Sequence, residues 1–324
     1  MAQIQILMAV YNGEKYLRAQ LNSLIEQTFA DWQLLISDDN SSDESLAVIN
    51  EFCERDPRIT LVLENERYGC AKAHFMALLR LADAPYVMTC DQDDVWDADK
   101  VEYTFNAMKS RESAGLKPLL VCTDLRVVDE NLNLIAPSFL AYSKMDASKR
   151  DFGYFLASCL VTGCTMMVNE PLLKLLQTPV RDDAIVMHDW WASLVAAAFG
   201  EVVHLDRATI SYRQHSDNSV GAEKFSVASA LKAIDEKAQT ESSAIDQARE
   251  FKRVFSDSMT SQQSAQIDAF LKIRDARPVK RVVLLTRAHV WRKGLMRNAG
   301  TLLAFLAISR TPASGDKGAE PDDH

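Results

Sequence analysis

Along the first part of the chain, short apolar runs alternate with longer segments of helical periodicity. Five runs rich in branched residues are each short enough for one buried strand, at residues 4–10, 32–37, 59–63, 86–90 and 119–123. In the segments between them, apolar residues share one helical face, as do Leu17, Leu21 and Leu24. The alternation predicts an α/β protein with an open, mostly parallel sheet flanked by helices.

The rest of the chain has a less regular pattern. Strand candidates at residues 160–168 and 201–205 flank a helix that starts near Asp189. Residues 225–277 are rich in Ala, Glu, Lys, Gln and Ser, which is typical of surface helices. These patterns predict three parts: a main α/β domain over 1–221, a helical C-terminal region over 222–310 and a disordered tail over 311–324.

The composition argues against several classes of protein. The 324 residues carry a formal net charge of −9, which does not suit a nucleic-acid binder, because phosphates are held by clustered Lys and Arg. The six cysteines form no CxxC pair and lie in apolar runs, as expected for buried reduced thiols. The N-terminus lacks a signal-peptide pattern, and no apolar run reaches the roughly 18 residues of a spanning helix. We therefore expect a cytoplasmic protein.

One basic stretch departs from this acidic background. Residues 277–310 contain eight Lys or Arg and no Asp or Glu. Bulky apolar residues accompany these cations at Trp291, Leu295, Leu302, Phe305 and Leu306. Cations and bulky apolar groups together are typical of helices that lie on anionic membranes. We predict peripheral contact with the cytoplasmic membrane face; ordinary helices that pack on the main domain are the alternative.

Polar residues directly follow three of the predicted strands. They are Tyr11-Asn12-Gly13, the segment 38–43 and Asp91-Gln92-Asp93-Asp94. Ligands of doubly wound sheets bind beyond the carboxyl ends of the strands, so we expect these segments to form one site. Tight turns and helix caps would explain Asn12, Gly13 and Ser42 equally well.

The last of these segments holds three carboxylates in four residues, and like charges so close repel each other. A divalent cation, Mg²⁺ or Mn²⁺, would relieve the repulsion and prefers oxygen ligands. The phosphate-binding loops GxxxxGK[ST] and GxGxxG are both missing from the chain. We therefore predict a diphosphate held through a cation on Asp91 and Asp93, with a solvated acidic turn as the alternative.

Taken together, these segments resemble those of the family-two glycosyltransferases. The resemblance rests on five segments in the family's order, namely residues 8–13, 27–29, 37–43, 91–94 and 188–189. It covers roughly residues 1–221 and implies a GT-A nucleotide-diphospho-sugar transferase fold with a helical C-terminal extension. It also implies inverting transfer of a sugar from a nucleoside diphosphate.

The resemblance assigns a role to each matching residue on the donor side. Val10 and Tyr11 would contact the nucleotide, with Tyr11 flanking or stacking on the pyrimidine base, and Asp39 would accept the base N3 proton. Asp91 and Asp93 would form the metal-binding DxD pair. Lys72 would reach the diphosphate, although a surface lysine fits as well. His215 would be a third metal ligand or a structural histidine.

On the acceptor side, Asp189 would be the general base, and a helix N-cap is its alternative role. Gly163-Cys164-Thr165 would border the acceptor cleft or simply pack as a strand. His188 stands where the family usually has Glu, which leaves its role open, and Trp190 follows the base.

The segments 90–96 and 212–221 are closest to the rhamnosyltransferase-like branch of the family, which builds bacterial surface polysaccharides. The resemblance implies dTDP-L-rhamnose as donor, with a UDP-hexose or UDP-N-acetylhexosamine as the alternative. The acceptor would be a hydroxyl of a growing surface polysaccharide or lipid-linked glycan. A nucleotidyltransferase lacks support because no Gly-rich basic loop follows the first strand. A catalytically silent sugar-nucleotide-binding scaffold is the alternative from another class.

Overall fold

One sheet with helices on both faces organises the chain. The computed structural model describes residues 2–63, 66–214, 227–291 and 295–308. The strands of this described part are β1 (Ile4–Val10), β2 (Trp32–Asp38), β3 (Ile59–Leu61), β4 (Tyr86–Cys90), β5 (Val95–Trp96), β6 (Leu119–Val128), β7 (Leu134–Ala136), β8 (Met166–Asn169) and β9 (Glu201–Arg213).

The helices alternate with the strands at first and then continue alone to the end of the described chain. They are α1 (Glu14–Ile25), α2 (Ser45–Arg55), α3 (Ala71–Leu81), α4 (Lys100–Glu112), α5 (Phe139–Tyr142), α6 (Phe152–Ala157), α7 (Glu170–Leu176), α8 (His188–Phe199), α9 (Val227–Phe255), α10 (Ser261–Leu271), α11 (Pro278–Ala288) and α12 (Leu295–Ala307). The strand expected over 160–168 is instead a short 3-10 turn, Gly163–Thr165, followed by β8.

The sheet is parallel in its first half and mixed in its second. Neighbouring strands of the described chain follow the order β3-β2-β1-β4-β8-β6-β9-β5, and β7 pairs with β6. β1 runs parallel to β2 and β4, and β2 runs parallel to β3. β8 is antiparallel to β4 and β6, whereas β6 and β9 are parallel. The predicted α/β sheet is confirmed, with its parallel pattern concentrated in β1 to β4.

Alternate residues of the central strands contribute to two apolar cores. Ile6 and Met8 of β1 join the core that α1 and α2 cover, whereas Leu7 joins the core that α3 and α8 cover. Because both faces of the sheet are buried, its strands are nearly continuous apolar runs. Polar chemistry is therefore concentrated at the ends of the strands.

The C-terminal helices are part of one of these cores. Phe251 of α9 is fully buried, and its ring centroid lies 5.9 Å from that of Trp191 in α8. Phe270 of α10 and Phe305 of α12 are also fully buried, with ring centroids 5.8 Å apart. The helical prediction for 225–277 is confirmed, but the surface location is wrong because widely spaced aromatic residues anchor these helices.

The basic stretch at 277–310 is divided between core and surface. Arg281 is buried and donates hydrogen bonds to the carbonyls of Ala276, Phe305 and Ile308. Arg281 and Phe305 therefore stabilise the protein interior and are not available to a membrane. Among the described residues, no helix combines the length and the apolar character needed to cross a bilayer.

Candidate active site

A cleft of about 540 Å³ lies at the sheet edge where β1, β2 and β4 end. These strands are parallel neighbours, so their carboxyl ends meet at one edge. Eight of the predicted site residues line the cleft: Val10, Tyr11, Asp39, Asp91, Asp93, Gly163, His188 and Asp189. The convergence that we expected from the sequence is therefore present.

Hydrogen bonds between side chains and backbone hold the rim of the cleft together. Gln92 accepts the N–H of Tyr11 at 2.8 Å and donates to the Tyr11 carbonyl at 3.0 Å. Asn12 has a φ of 47°, and its side-chain oxygen accepts the N–H of Ser42 at 2.9 Å. A Cβ at Gly13 would lie 2.6 Å from Oε1 of Gln92. Asn12, Gly13 and Ser42 thus have the structural turn role that the sequence left open.

Asp39 connects β2 to the segment that precedes α3. It is buried, and its two oxygens accept the N–H groups of Tyr68 and Gly69, the latter at 2.8 Å. Gly69 has a φ of +70°, which favours glycine. Each carboxylate oxygen has two lone pairs, so Asp39 keeps acceptor capacity toward the cleft.

Among the described residues, Arg67 is the one Lys or Arg residue whose side chain lines the cleft. Lys72 does not line it. Nζ of Lys72 donates to the carbonyl of Ile185 at 2.6 Å. Lys72 therefore ties α3 to the segment before α8, and this geometry argues against its predicted contact with a diphosphate. Arg67 is exposed in the loop before α3, where it can approach an anion in the cleft.

Arg213 forms hydrogen bonds with the acidic turn that follows β4. The side chain of Arg213 is buried, and its Nε donates to the carbonyl of Asp93 at 2.8 Å. The backbone N–H of Arg213 donates to the Asp94 carboxylate at 3.2 Å. Burial raises the pKa of Asp94 well above its usual range, and the charges of Asp91 and Asp93 raise it further. Burial also raises the pKa of Asp91, with the charge of Asp93 as the next cause. The turn thus concentrates negative charge that a counter-charge would stabilise.

These carboxylates fit a divalent cation. Ligand atoms of Asp91, Asp94 and Cys164 lie within 4.8 Å of one another. Oδ2 of Asp94 is buried and has no hydrogen-bond partner among the described residues. Mg²⁺ and Mn²⁺ prefer carboxylate oxygens such as those of Asp91 and Asp93 over a thiol. The predicted metal-binding pair, Asp91 and Asp93, thus has the buried carboxylate of Asp94 as a neighbour. The third predicted ligand, His215, lies outside the described residues.

Asp189 is the second residue of α8 and lines the cleft. The helix N-cap is Met187, so Asp189 does not have the N-cap role considered as its alternative. Its carboxylate accepts the N–H of Trp190 at 2.6 Å and a backbone hydrogen bond from Gly163. Burial raises the pKa of Asp189 to about 6, and these N–H groups oppose the increase. A carboxylate with this pKa is suited to accept a proton near neutral pH.

His188 is a neutral, buried imidazole beside Asp189. Its ring stacks on Phe75 with centroids 4.2 Å apart, and neither ring nitrogen has a hydrogen-bond partner among the described residues. Burial lowers the pKa of His188 to about 3, so this imidazole is a weak base at neutral pH. Of the two neighbours, Asp189 is therefore the stronger base.

Gly163→Ala should destabilise the protein by about 1–3 kcal/mol, because the added methyl group overpacks the site. A Cβ at this position would lie 2.5 Å from Nε2 of His188, which is held against Phe75. Urea unfolding of Gly163→Ala, His188→Ala and the double variant measures the effect. We expect the double variant to cost less than the sum of the single variants. Additive costs would show that the clash is relieved elsewhere.

Three residues predicted on the acceptor side do not line the cleft. Cys164 and Thr165 are buried, and Oγ1 of Thr165 donates to the carbonyl of Thr162. Trp190 is buried, and its Nε1 donates to the carbonyl of Phe155 at 2.7 Å. Cys164 and Thr165 thus have the packing role that was their alternative.

Sequence reasoning missed several residues of the cleft wall, among them His74, Thr162 and Tyr212. Nε2 of His74 lies 2.8 Å from Oγ of Ser37, and its ring stacks 4.6 Å from that of Tyr68. A signal existed for Tyr212, because it belongs to the segment 212–221 that the family resemblance singled out. No comparable pattern surrounds His74 or Thr162.

Comparison with known proteins identifies sequence relatives of this chain. The family model described as glycosyl transferase family 2 matches residues 5–175. The dTDP-rhamnosyl transferase RfbG of Shigella flexneri is 30% identical over 233 residues, which cover 66% of this chain and 74% of the relative. WfgD of Escherichia coli, a UDP-Glc:alpha-D-GlcNAc-diphosphoundecaprenol beta-1,3-glucosyltransferase, is 26% identical over 227 residues, which cover 68% and 81%.

Solved structures share the fold. TarS 1-349 of S. aureus in complex with UDP superposes with a TM-score of 0.52 at 15% identity, covering 94% of this chain and 90% of that one. The mannosyltransferase PcManGT from Pyrobaculum calidifontis, in complex with GDP-Man and Mn²⁺, gives 0.52 at 17% identity, covering 94% and 85%. Such distant likeness establishes the GT-A fold alone. The family-model match and the relative at 30% identity establish more: the chain belongs to glycosyl transferase family 2.

Proposed function

We propose that this glycosyltransferase moves a sugar from a nucleoside diphosphate to an acceptor hydroxyl by a single, inverting displacement. The observation that carries the proposal is that Asp189, with its pKa of about 6, lines the same cleft as Asp91 and Asp93. Inverting transfer needs a base for the acceptor proton and positive charge beside the leaving diphosphate. Asp189 can serve as this base, and Asp91 and Asp93 could hold a cation that would supply the positive charge.

In the proposed reaction, Asp189 takes the proton of the acceptor hydroxyl while the hydroxyl oxygen bonds to the anomeric carbon. The bond from this carbon to the diphosphate oxygen breaks on the opposite face, and its electron pair leaves with the diphosphate. Asp91 and Asp93 would hold a divalent cation, which would supply positive charge for this leaving group. Arg67 adds a second positive charge at the cleft. His188 stays neutral, so it does not compete with Asp189 for this proton.

The donor that we propose is dTDP-L-rhamnose, with a UDP-hexose or UDP-N-acetylhexosamine as the alternative. The relative RfbG is named a dTDP-rhamnosyl transferase, and WfgD is named for UDP-Glc. Tyr11 is 53% exposed at the cleft, so its ring can stack on a base. Asp39 can accept a hydrogen bond from the N3–H group of thymine or uracil.

Calorimetry and turnover with a nucleotide panel test this function. In the presence of Mn²⁺, dTDP and UDP should bind tighter than GDP and ADP, and dTDP-rhamnose should be consumed. Binding of GDP or ADP as tightly as dTDP would remove Tyr11 and Asp39 from base recognition. Tight binding of every sugar nucleotide without any transfer or hydrolysis would favour the silent scaffold.

For the acceptor we propose a growing surface polysaccharide or a lipid-linked glycan, reached at the cytoplasmic face of a membrane. The name of WfgD includes a diphosphoundecaprenol-linked acceptor. Apolar side chains are exposed on α11 and α12 at Val279, Val282, Val283 and Leu303. The neighbouring cations Arg277, Lys280 and Arg287 are also exposed. This combination supports a surface that contacts anionic lipid.

Val279→Glu should weaken binding to anionic vesicles by roughly tenfold, because it replaces an apolar contact with a repelled charge. Val279 is 83% exposed near the start of α11, so the fold should tolerate the change. Cosedimentation with phosphatidylglycerol vesicles measures the effect. Leu134→Glu on β7, where the side chain is 61% exposed, is the control. Equal binding of both variants and the parent would contradict the membrane contact.

A further inference from the structure

A second cavity, of about 460 Å³, lies between α6, the start of α8 and α9. Its volume falls in the range of small-molecule binding sites. Tyr154 and Trp190 form its aromatic walls, and α9 contributes Glu236, Lys237, Thr240 and Glu241.

Two chain segments run from the lining of the second cavity to the lining of the active-site cleft. Residues 157–159 line the second cavity, and Thr162 and Gly163 line the cleft. In the same way Trp190 lines the second cavity, and residues 187–189 line the cleft. The charge of Asp189 contributes, after burial, to the raised pKa of Cys159 in the second cavity. Asp189 thus lines the active-site cleft next to a segment that lines the second cavity.

The lining has the chemistry that recognises a neutral saccharide. Aromatic faces pack against the C–H groups of a sugar ring, and carboxylates accept hydrogen bonds from its hydroxyls. Trp190 is held rigidly for such a contact, because its Nε1 is bonded to the Phe155 carbonyl. The charged groups of the lining are one ammonium, of Lys237, and two carboxylates, of Glu236 and Glu241. This balance disfavours an anionic ligand such as a second diphosphate.

We propose that the second cavity binds the sugar of the acceptor and orients its hydroxyl toward Asp189. The inference rests on the proposed glycosyl transfer. It adds that the acceptor is a neutral saccharide and that α9 contributes to its selection. The proposed donor site is the active-site cleft, at the ends of β1, β2 and β4. Donor binding and acceptor binding are then separable by mutation.

Thr240→Trp tests the proposal because it fills the second cavity from an exposed position of α9. Gln239→Trp is the matched control, since Gln239 is exposed on the same helix and does not line the cavity. The probes are octyl glycosides of N-acetylglucosamine, glucose and rhamnose. Their binding is followed by saturation-transfer NMR, and release of dTDP from dTDP-rhamnose with Mn²⁺ is followed with and without each glycoside.

We expect at least one glycoside to bind the parent protein and to accelerate dTDP release. Thr240→Trp should raise the KM for that glycoside by about tenfold or more, with donor Kd and glycoside-independent hydrolysis unchanged. Glu236→Gln should weaken glycoside binding in the same direction, and Gln239→Trp should match the parent. An unchanged KM in Thr240→Trp, or no glycoside binding to a protein that hydrolyses the donor, would overturn the proposal. Glycoside binding that Thr240→Trp abolishes, without consumption of any sugar nucleotide, would instead refute the proposed transfer and leave the saccharide site.

Discussion

Asp189→Asn is expected to lower kcat by about a hundredfold or more while donor affinity stays nearly unchanged. Asparagine keeps the size of the side chain and one oxygen for the N–H of Trp190, but it cannot take a proton. The substitution therefore removes the chemistry of Asp189 and keeps most of its hydrogen bonding. Steady-state turnover and calorimetric donor binding separate the two.

The pH profile supplies a second readout of the same substitution. Because burial raises the pKa of Asp189 to about 6, the base is lost as pH falls through this value. At saturating Mn²⁺, kcat of the parent should fall about tenfold per pH unit below 6, and the Asn variant should lack this limb. The groups near Asp189 are His188, which stays neutral, Cys159, whose thiol pKa is raised, and Asp91. Near-parent turnover in Asp189→Asn would move the base elsewhere in the cleft.

Asp93→Ala is expected to abolish cation-dependent donor binding and transfer. The substitution keeps the backbone carbonyl that Arg213 binds, so the turn should hold its geometry. It also removes one of three repelling carboxylates, so the apo protein should unfold at the same or a higher temperature. Donor binding with and without Mn²⁺ and thermal unfolding measure the two effects.

Glu54→Ala is the matched control for this substitution, because Glu54 is an exposed carboxylate of α2 that does not line the cleft. It should keep donor binding and turnover. An active Asp93→Ala enzyme, or undiminished parent activity in excess chelator, would remove the cation from the mechanism. A large loss of thermal stability in Asp93→Ala would instead give Asp93 a structural role.

Apolar runs predicted the parallel half of the sheet closely, because strands buried on both faces need continuous apolar sequence. β1 and β4 have the predicted bounds, and β2 differs by one residue. β9 was harder to predict. It continues past Leu205 to Arg213, and its register with β6 shifts at the polar residues Asp206 and Arg207, which lie between the paired residues Leu205 and Ala208.

Cleft residues at the strand ends were predictable because the topology forces those ends together. Cleft residues on loops and helix faces could not be predicted in this way. Arg67 and Lys72 are both basic and close in sequence, and the start of α3 decides which of them lines the cleft. Buried charges are a second limit. Arg213 and Lys100 are both buried, and no local pattern distinguishes them from surface cations.

The anomeric configuration of the product tests the central claim most directly. The parent enzyme is incubated with Mn²⁺, dTDP-rhamnose and an octyl glycoside that it accepts, and the anomeric proton and carbon of the new linkage are followed by NMR. Single displacement with Asp189 as base predicts the configuration opposite to that of the donor from the first turnover onward. A product that retains the donor configuration would contradict the account, because retention requires a second displacement or a different mechanism at the same carbon.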